Sequence, residues 1–378
     1  MSHSSPHVGP KLLFFVTEDY YFVSHRLPLA AAAKSEGYDV CVVTRVRECG
    51  DVIRGAGLRL IAFDNARSSV NPIADLPRLV RLILLYRRER PDIVHHVAMK
   101  PVLYGSLAAR WSGRPEVINA LAGMGWLFTS GKGLARWLKP AVRRALRHAV
   151  NRGLALVQNL DDAQLVAALG VPESRIRLVA GSGVDLQRFR PRPVPDGVPV
   201  VVMHARLLWD KGVGEYVSAA RLLRQRGVAA RFLLAGEPDP ANPASIPGEQ
   251  ITKWALEGSV EFLGQVEDVP RLLAGSHIVC LPSHREGLPK SLIEAAAAGR
   301  AIVTTDVPGC RAVVRDGDNG LLVPVRNPDA LADGLERLIA SPDLRQAMGA
   351  RGRARAEREF SLDVVIGQTL ALYREVTG

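Results

Sequence analysis

The feature that most constrains the fold is a regular alternation of short apolar runs with segments of helical periodicity, and it occurs twice along the chain. The runs of the first series are 12–17, 39–44, 58–63, 92–97, 116–121, 154–159 and 176–180. The runs of the second series are 199–204, 230–235, 260–263, 278–282, 301–305 and 320–325. Apolar runs this short, with helical patterns between them, indicate parallel strands buried on both faces. The sequence therefore predicts an α/β protein with two doubly wound, Rossmann-like domains.

The two series are separated by residues 188–197, RFRPRPVPDG, which contain three prolines and no periodicity. Such composition is typical of an extended linker. We therefore expect an N-terminal domain over 1–190 and a C-terminal domain over 191–361. Ligands bind at the carboxyl ends of the strands in such sheets, so the expected site is the cleft that the two domains face.

Composition limits the class of protein and its compartment. The formal net charge of +11 over 378 residues implies an anionic partner, which could be a nucleotide, a nucleic acid or a membrane. The four cysteines, Cys41, Cys49, Cys280 and Cys310, form no CxxC pair, which favours a reducing cytoplasm and no zinc site. There is no signal-peptide pattern and no apolar run of about 18 residues, so we expect a cytoplasmic protein without a spanning segment.

Two cations follow the first strand of the second series. Arg206 and Lys211 leave the end of 199–204 shortly before a helical pattern begins near Gly212. A guanidinium and an ammonium in this position can hold a diphosphate from two sides. Each residue alone could equally be a surface cation after a strand.

Two carboxylates flank the turn after the run 278–282, in Glu286-Gly-Leu-Pro-Lys-Ser-Leu-Ile-Glu294. A strand, a turn and a helix in this order direct backbone N–H groups at an anion above the sheet. One carboxylate on the turn and one in the helix can then bind hydroxyls on either side of that anion, as in a sugar–diphosphate–ribose ligand. For either glutamate alone, a helix start with an acid near its positive end is an equal alternative.

These segments, taken in order, resemble the retaining glycosyltransferases of family 4, which have the GT-B fold. The resemblance extends from about residue 11 to the C-terminus. Its markers are Arg206-Leu-Leu-Trp-Asp-Lys211-Gly-Val, the Glu286-x7-Glu294 pattern and the segments 299–309 and 316–324. The first-domain segments 22–29, 119–125 and 181–185 resemble the branch that builds lipid-linked surface polysaccharides, including O-antigen and capsule.

The resemblance implies a reaction. The chain would move a sugar from a nucleotide-diphosphate sugar, most simply a UDP-sugar, to a polyprenyl-diphosphate-linked glycan, with retention and without a metal or other cofactor. It would act on the inner face of the plasma membrane as a peripheral protein. A nucleotide-sugar epimerase or a phosphorylase of related architecture is the alternative. A nucleic-acid-binding protein is disfavoured, because the cations are concentrated in one amphipathic segment and no nucleic-acid-binding module is present.

The resemblance also implies roles for residues of the second domain. Arg206 and Lys211 would bind the donor diphosphate, and Glu286 would bind hydroxyls of the transferred sugar. Glu294 would bind the ribose hydroxyls. Backbone groups would approach the sugar or phosphate at Gly287, Leu288 and Pro289. Four residues at strand ends would line the nucleotide pocket or serve as ordinary turn residues: Gly236, Glu237, Gly264 and Gln265.

The acceptor side would come from the first domain, with residues 362–378 crossing back onto it as in relatives. Its candidates are Glu18, Asp19, His25, His95 and His96, and His25 is the best single candidate for a catalytic role. His95 and His96 end a strand on alternate faces, so one could line the cleft while the other packs, and the alternative, which is more common for a strand-end histidine, is a structural role. Two familiar features are missing: Ala122 replaces a histidine before Gly123, and Tyr20-Tyr21-Phe22 replace a Gly-Gly pair. The general base is therefore unassigned.

Two further patterns have competing interpretations. Asp316-x-Asp318 matches the DxD metal pattern, but its sequence RDGDNG favours a turn, and no metal ligand is assigned. Residues 132–152 hold seven Lys or Arg and no acid, after Trp126-Leu127-Phe128, with apolar positions at helical spacing. Segment 126–152 therefore predicts contact with an anionic membrane surface, and the alternative is a helix packed on the first sheet.

Overall fold

The computed structural model describes residues 9–64, 72–113, 115–121, 144, 146–240 and 242–378. The chain divides into two compact units. Unit 1 comprises Met1–Ser182 with Val365–Gly378, and unit 2 comprises Gly183–Val364. Both units contain a parallel sheet, which confirms the predicted fold class.

Unit 1 contains a sheet of seven strands in the order β3-β2-β1-β4-β5-β6-β7, and every neighbouring pair is parallel. The strands are β1 Lys11–Glu18, β2 Asp39–Arg45, β3 Arg59–Ala62, β4 Ile93–Val97, β5 Glu116–Ala120, β6 Leu154–Val157 and β7 Ile176–Leu178. The helices described between them are α1 Asp19–His25, α2 Leu27–Ser35, α3 Gly50–Gly55, α4 Pro72–Glu89, α5 Met99–Arg110 and α6 Leu160–Ala168.

Strand β1 shows why these runs are apolar at every position. Phe14 packs in the core on one face of the sheet, with Leu12 and Val16, whereas Phe15 and Leu13 pack in a separate core on the other face. Successive side chains of a strand point to opposite faces, so a strand covered on both sides needs apolar residues throughout.

Unit 2 contains a parallel sheet of six strands in the order β10-β9-β8-β11-β12-β13. The strands are β8 Val200–His204, β9 Arg231–Ala235, β10 Glu261–Gly264, β11 Ile278–Leu281, β12 Ala301–Thr305 and β13 Leu321–Val323. The α-helices are α7 Val213–Gln225, α8 Gly248–Glu257, α9 Val269–Ala274, α10 Lys290–Ala297, α11 Pro308–Val313, α12 Pro328–Ala340 and α13 Pro342–Arg355, and a π-helical segment Ala356–Phe360 precedes α14 Leu362–Thr377.

The unit boundary precedes the proline-rich linker and does not coincide with the expected 190/191 division. The Val184 backbone donates to Phe360 O at 2.8 Å and accepts from Leu362 N at 3.0 Å. Arg353 donates to the carbonyl of Phe189 at 3.1 Å, and the Phe189 side chain is buried. These contacts hold residues 184–189 against the rest of unit 2, so this segment belongs to unit 2.

Helix α14 joins unit 1 from Val365 onward. The Tyr373 hydroxyl lies 2.6 Å from Nδ1 of His95, and Arg374 pairs with Glu36 at 2.9 Å. Cys41 and Cys280 are buried free thiols, as predicted, and burial raises the pKa of Cys41 to about 11. Of the helices described, none has the length and apolar character needed to cross a bilayer.

Candidate active site

The central feature of unit 2 is an ion pair between two of the predicted site residues. Lys211 lies in the 3₁₀ turn Trp209–Lys211 after β8, and Glu286 lies in the loop between β11 and α10. The Lys211 Nζ is 2.5 Å from Glu286 Oε1. Side-chain exposure is 21% for Lys211 and 10% for Glu286, so the pair is largely shielded from water but still reachable. The structure thus brings together a cation and a carboxylate that are 75 positions apart in sequence.

A glycine allows the two loops to meet. Gly212 has φ +75°, and a Cβ added there would lie 2.0 Å from the Pro282 carbonyl oxygen at the end of β11. Next to this contact, the Asp210 carbonyl accepts a hydrogen bond from His284 N at 2.8 Å. Only glycine combines this backbone conformation with so close an approach. Backbone contacts therefore hold the Lys211 turn against the end of β11, independently of the ion pair between Lys211 and Glu286.

Ser283 orients the Glu286 carboxylate and was not identified from the sequence. The buried Ser283 hydroxyl donates to Glu286 Oε1 at 2.7 Å. The Ser283 carbonyl in turn accepts a hydrogen bond from the Thr305 hydroxyl on β12. The contacts of Glu286 within the described part of the chain thus converge on Oε1, which leaves Oε2 available to accept a hydroxyl from a ligand.

Gly309 packs closely against the backbone of the Glu286 loop. A Cβ added to Gly309, on α11, would lie 2.6 Å from Gly287 O and 2.7 Å from Glu286 C and O. No side chain fits at such distances without moving the backbone of the loop. The signal for this role was present in the sequence as Val307-Pro308-Gly309 after a strand, but the contact joins residues distant in the chain.

Glu294 lies on α10, in a dry environment. The residue is 6% exposed, and its Oε1 is 3.7 Å from Lys290 Nζ. Burial raises the pKa of the Glu294 carboxyl to about 7, although the charges of Lys290 and Arg188 act in the opposite direction. Helix α10 begins after Pro289, and no described side chain caps its N-terminus. A buried carboxylate close to an uncapped helix start can bind hydroxyls beside an anion.

Arg206 pairs with an acidic residue of a neighbouring loop. Its Nη1 is 2.6 Å from Asp239 Oδ2, and the Arg206 side chain is 46% exposed. The loop that carries Asp239 is held by backbone bonds from Leu207 N to Glu237 O and from Trp209 N to Ala244 O. To bind a diphosphate, Arg206 would exchange Asp239 for the ligand.

The four residues predicted at strand ends lie close together, at the ends of β9 and β10, and the two glycines have structural roles. Gly236 N donates to Gly264 O at 2.7 Å, which links the ends of β9 and β10. A Cβ on Gly236, where φ is +142°, would lie 1.9 Å from the Ala205 carbonyl oxygen. Glu237 and Gln265 are exposed beside these glycines. The glycines therefore meet the requirements of a tight turn, while the two polar side chains remain accessible to a ligand.

In unit 1, Asp19 is a structural residue. It is fully buried, and its carboxylate accepts backbone N–H bonds from Tyr20 at 2.8 Å, Arg47 at 2.7 Å and Cys49 at 2.9 Å. These bonds tie the end of β1 to the segment after β2. The expectation that Asp19 faces an acceptor is therefore wrong, because its oxygens are occupied by the backbone.

Glu18 is buried, at 6% exposure, whereas His25 is half-buried. Glu18 pairs with Arg47 Nε at 3.3 Å and with Arg45 Nη1 at 4.0 Å. The His25 ring stacks on Tyr21 at a centroid distance of 4.2 Å, and its Nδ1 is 2.6 Å from the Ser24 hydroxyl. The stacking fixes the ring orientation, and His25 stays a candidate on the acceptor side.

His95 and His96 are both core residues. They point to opposite faces of the sheet as predicted, but both are fully buried. His95 bonds to Tyr373, whereas His96 lies 3.1 Å from the Tyr86 hydroxyl and 2.9 Å from Asn119 Oδ1. Burial lowers the pKa of His96 to about 4. Both histidines therefore follow the structural alternative, because helices α4 and α14 supply partners on the two faces of the sheet.

Both carboxylates of the DxD match have partners within the protein. Asp316 Oδ1 accepts a hydrogen bond from Leu322 N at 2.8 Å, and Asp318 pairs with Arg351 at 3.0 Å. Asp316 is thus bonded within its own turn, whereas Asp318 pairs with a side chain of α13 that is 33 positions further along the chain.

The predicted membrane segment 126–152 is described only at Arg144 and 146–152, and Gly123 and its neighbours also lie outside the described residues. Within the described part, Leu146 and Val150 are buried in a core cluster with Val102 and Leu121. This end of the segment packs on unit 1.

Two family models match adjacent parts of the chain. "Glycosyl transferase 4-like" matches residues 11–152, and "Glycosyl transferases group 1" matches residues 186–355. The chain belongs to the group 1 and 4-like glycosyltransferases. This glycosyltransferase is 28% identical over 371 residues to the N,N'-diacetylbacillosaminyl-diphospho-undecaprenol alpha-1,3-N-acetylgalactosaminyltransferase of Campylobacter jejuni subsp. jejuni serotype O:2, a match that covers 94% of this chain and 96% of the relative.

Two other comparisons extend this assignment. The UDP-Gal:alpha-D-GlcNAc-diphosphoundecaprenol alpha-1,3-galactosyltransferase of Escherichia coli is 24% identical over 286 residues, which cover 71% of this chain and 72% of the relative. The crystal structure of Anabaena Alr3699/HepE in complex with UDP superposes with a TM-score of 0.77 at 18% identity, covering 97% of this chain and 99% of that one. The structural similarity shows that the glycosyltransferase has the GT-B fold.

Proposed function

We propose that this glycosyltransferase moves a sugar from a UDP-sugar to a polyprenyl-diphosphate-linked glycan during assembly of a bacterial surface polysaccharide. The observation that carries the proposal is the Lys211–Glu286 pair beside the start of the helix that bears Glu294. The two relatives named above support it, since both names specify an acceptor on diphospho-undecaprenol and one specifies UDP-Gal as the donor.

The charges of the site suit departure of a diphosphate. As the bond between the sugar C1 and the UDP oxygen breaks, negative charge accumulates on the leaving phosphate. The Lys211 ammonium stabilises that charge more in the transition state than in the ground state, which lowers the barrier. In the proposed retaining reaction, the acceptor oxygen forms its bond to C1 on the face that UDP leaves, and the acceptor proton passes to the departing phosphate.

Glu286 and Glu294 would hold the two ends of the donor. Glu286 Oε1 is occupied by Lys211 and Ser283, so Oε2 would accept a hydroxyl of the transferred sugar. Glu294 would accept the ribose hydroxyls. No metal has a role in the proposed scheme.

The test is an assay of the purified chain with radiolabelled UDP-sugars and extracted polyprenyl-diphosphate-linked oligosaccharides. We expect label to enter the lipid fraction, with UDP released only when acceptor is present and with the rate unchanged by EDTA. Analysis of the product anomer would show retention. An epimerised sugar formed without acceptor would instead indicate an epimerase, and sugar release that requires inorganic phosphate would indicate a phosphorylase.

The raised pKa of Glu294 predicts a pH-dependent donor affinity. The carboxylate forms as pH rises through about 7, so the contribution of Glu294 to ribose binding should be present above that pH and lost below it. Between about pH 8 and about pH 6, we expect the affinity of the wild type for UDP to fall roughly tenfold more than that of Glu294→Gln. The affinities are measured by calorimetric titration. Protonation of UDP itself affects both proteins equally, so it does not contribute to the difference between them. Parallel pH profiles would contradict the ribose assignment.

A further inference from the structure

Helix α4 carries an exposed apolar stripe. Leu76, Val80 and Leu84 are 57%, 48% and 57% exposed, and they are spaced four residues apart. At 100° per residue this spacing places them on one face of the helix. Three large apolar side chains in line on a surface are unusual for a protein without a partner at that position.

The stripe is not an unfinished part of the core. The opposite face of α4 packs Leu82 and Tyr86 into the core of unit 1, where both are almost completely buried. Asp75 on that face accepts hydrogen bonds from Arg78 and Tyr104. These contacts fix the rotation of the helix, so Leu76, Val80 and Leu84 are held facing outward.

The charges around the stripe have one sign. Arg81, Arg87 and Arg88 are exposed. Together with the stripe, they occupy an arc of about 140° of the helix circumference. The two acids of the described part of α4, Asp75 and Glu89, are buried and paired with cations. The outward face of the helix therefore presents apolar and cationic groups together.

An aromatic residue extends this surface. Arg87 Nε donates to the Trp111 carbonyl at 2.9 Å, which places the end of α5 beside the end of α4. Trp111 is 49% exposed. Tryptophan is favoured where an apolar phase meets water, because its ring is apolar and its N–H is polar.

We propose that this α4 face, formed by Leu76, Val80, Leu84, Trp111 and the three arginines, docks on an anionic lipid bilayer. The inference rests on the proposed function, since a polyprenyl-linked acceptor lies in a membrane. Apolar side chains beside arginines match the acyl boundary and the anionic headgroups of such a surface. A second copy of the chain fits less well, because a symmetric contact would place the same arginines against each other.

The experiment measures binding of the full chain to vesicles of phosphatidylcholine alone and of phosphatidylcholine mixed with phosphatidylglycerol. We expect binding to the mixed vesicles that weakens at high salt. The triple variant Leu76→Ser/Val80→Ser/Leu84→Ser should bind them about tenfold or more less tightly. Arg81→Glu should weaken binding about fivefold or more. Leu256→Ser, at an apolar residue of unit 2 that is 84% exposed, should bind like the wild type.

Thermal unfolding of each variant, compared with the wild type, shows whether unit 1, which carries α4, remains folded. Undiminished vesicle binding by the triple variant would overturn the inference, even if the wild type transfers sugar to a lipid acceptor. Equal binding to neutral and anionic vesicles would overturn the role of the arginines. A wild-type dimer that the triple variant converts to a monomer, with no vesicle binding, would identify the face as a self-association surface and also overturn the inference.

Discussion

Replacing either Lys211 or Glu286 with alanine is expected to lower turnover at least about tenfold, which corresponds to about 1.4 kcal/mol of barrier. In the proposed reaction, Lys211→Ala removes the cation that would face the leaving diphosphate, and Glu286→Ala removes the carboxylate that would hold the sugar. Because the two side chains are 2.5 Å apart, each substitution also leaves its partner unpaired. The double variant should therefore lose much less activity than the product of the two single losses.

A matched pair in the same unit provides the control. Arg231 and Glu261 form an ion pair at 2.8 Å between side chains that are 55% and 50% exposed. Alanine at either position should change turnover little, since exposed pairs contribute modestly to stability and this one bridges strands β9 and β10. Steady-state kinetics with thermal unfolding as a folding check decides the question. Folded Lys211→Ala and Glu286→Ala proteins with normal rates would refute the site assignment.

Gly309→Ala is expected to lower turnover about tenfold or more while the protein remains folded. The added methyl would lie 2.6 Å from Gly287 O and 2.7 Å from Glu286 C, and these neighbours are backbone atoms that can yield only by moving the loop. Moving the loop displaces the Glu286 carboxylate from Lys211 and Ser283. The variant thus tests a residue that contributes only through the position of Glu286.

Gly248→Ala is the corresponding control. Gly248 opens α8 in the same unit, and a Cβ there would meet no atom within 4 Å. Its rate should equal that of the wild type, and measuring kcat and KM for both variants separates loop displacement from a general effect of alanine. If Gly309→Ala kept full activity, the close approach between α11 and the Glu286 loop would have no bearing on catalysis.

The two sheets and the positions of Glu286 and Glu294 around a helix start were predictable because their signals are local. A strand buried on both faces is apolar at each position, as in β1, and this pattern is visible without knowledge of its neighbours. The spacing from Glu286 to Glu294 likewise spans one turn and one helix start, so the sequence places Glu286 on the turn and Glu294 within the helix that follows it.

Partners of individual side chains were not predictable in the same way. The ring of His95 is occupied by Tyr373, which lies 278 positions further along the chain. Asp239 is the partner of Arg206 because a loop after β9 folds over the loop after β8. The core position of the two histidines and the pairing of Arg206 both follow from such long-range contacts.

Local patterns along the chain are sufficient to establish that it builds two parallel α/β units and that the second one carries a cationic turn and two glutamates around a helix start. Strand patterns and helix signals depend on residues that are close in sequence, so they can be recognised without the structure. The folded chain adds that Lys211 meets Glu286, that Ser283 and Gly309 hold that glutamate in place, and that Leu76, Val80 and Leu84 of α4 face outward. Those outcomes depend on how closely separate segments approach each other, and that distance is set by packing of the whole unit.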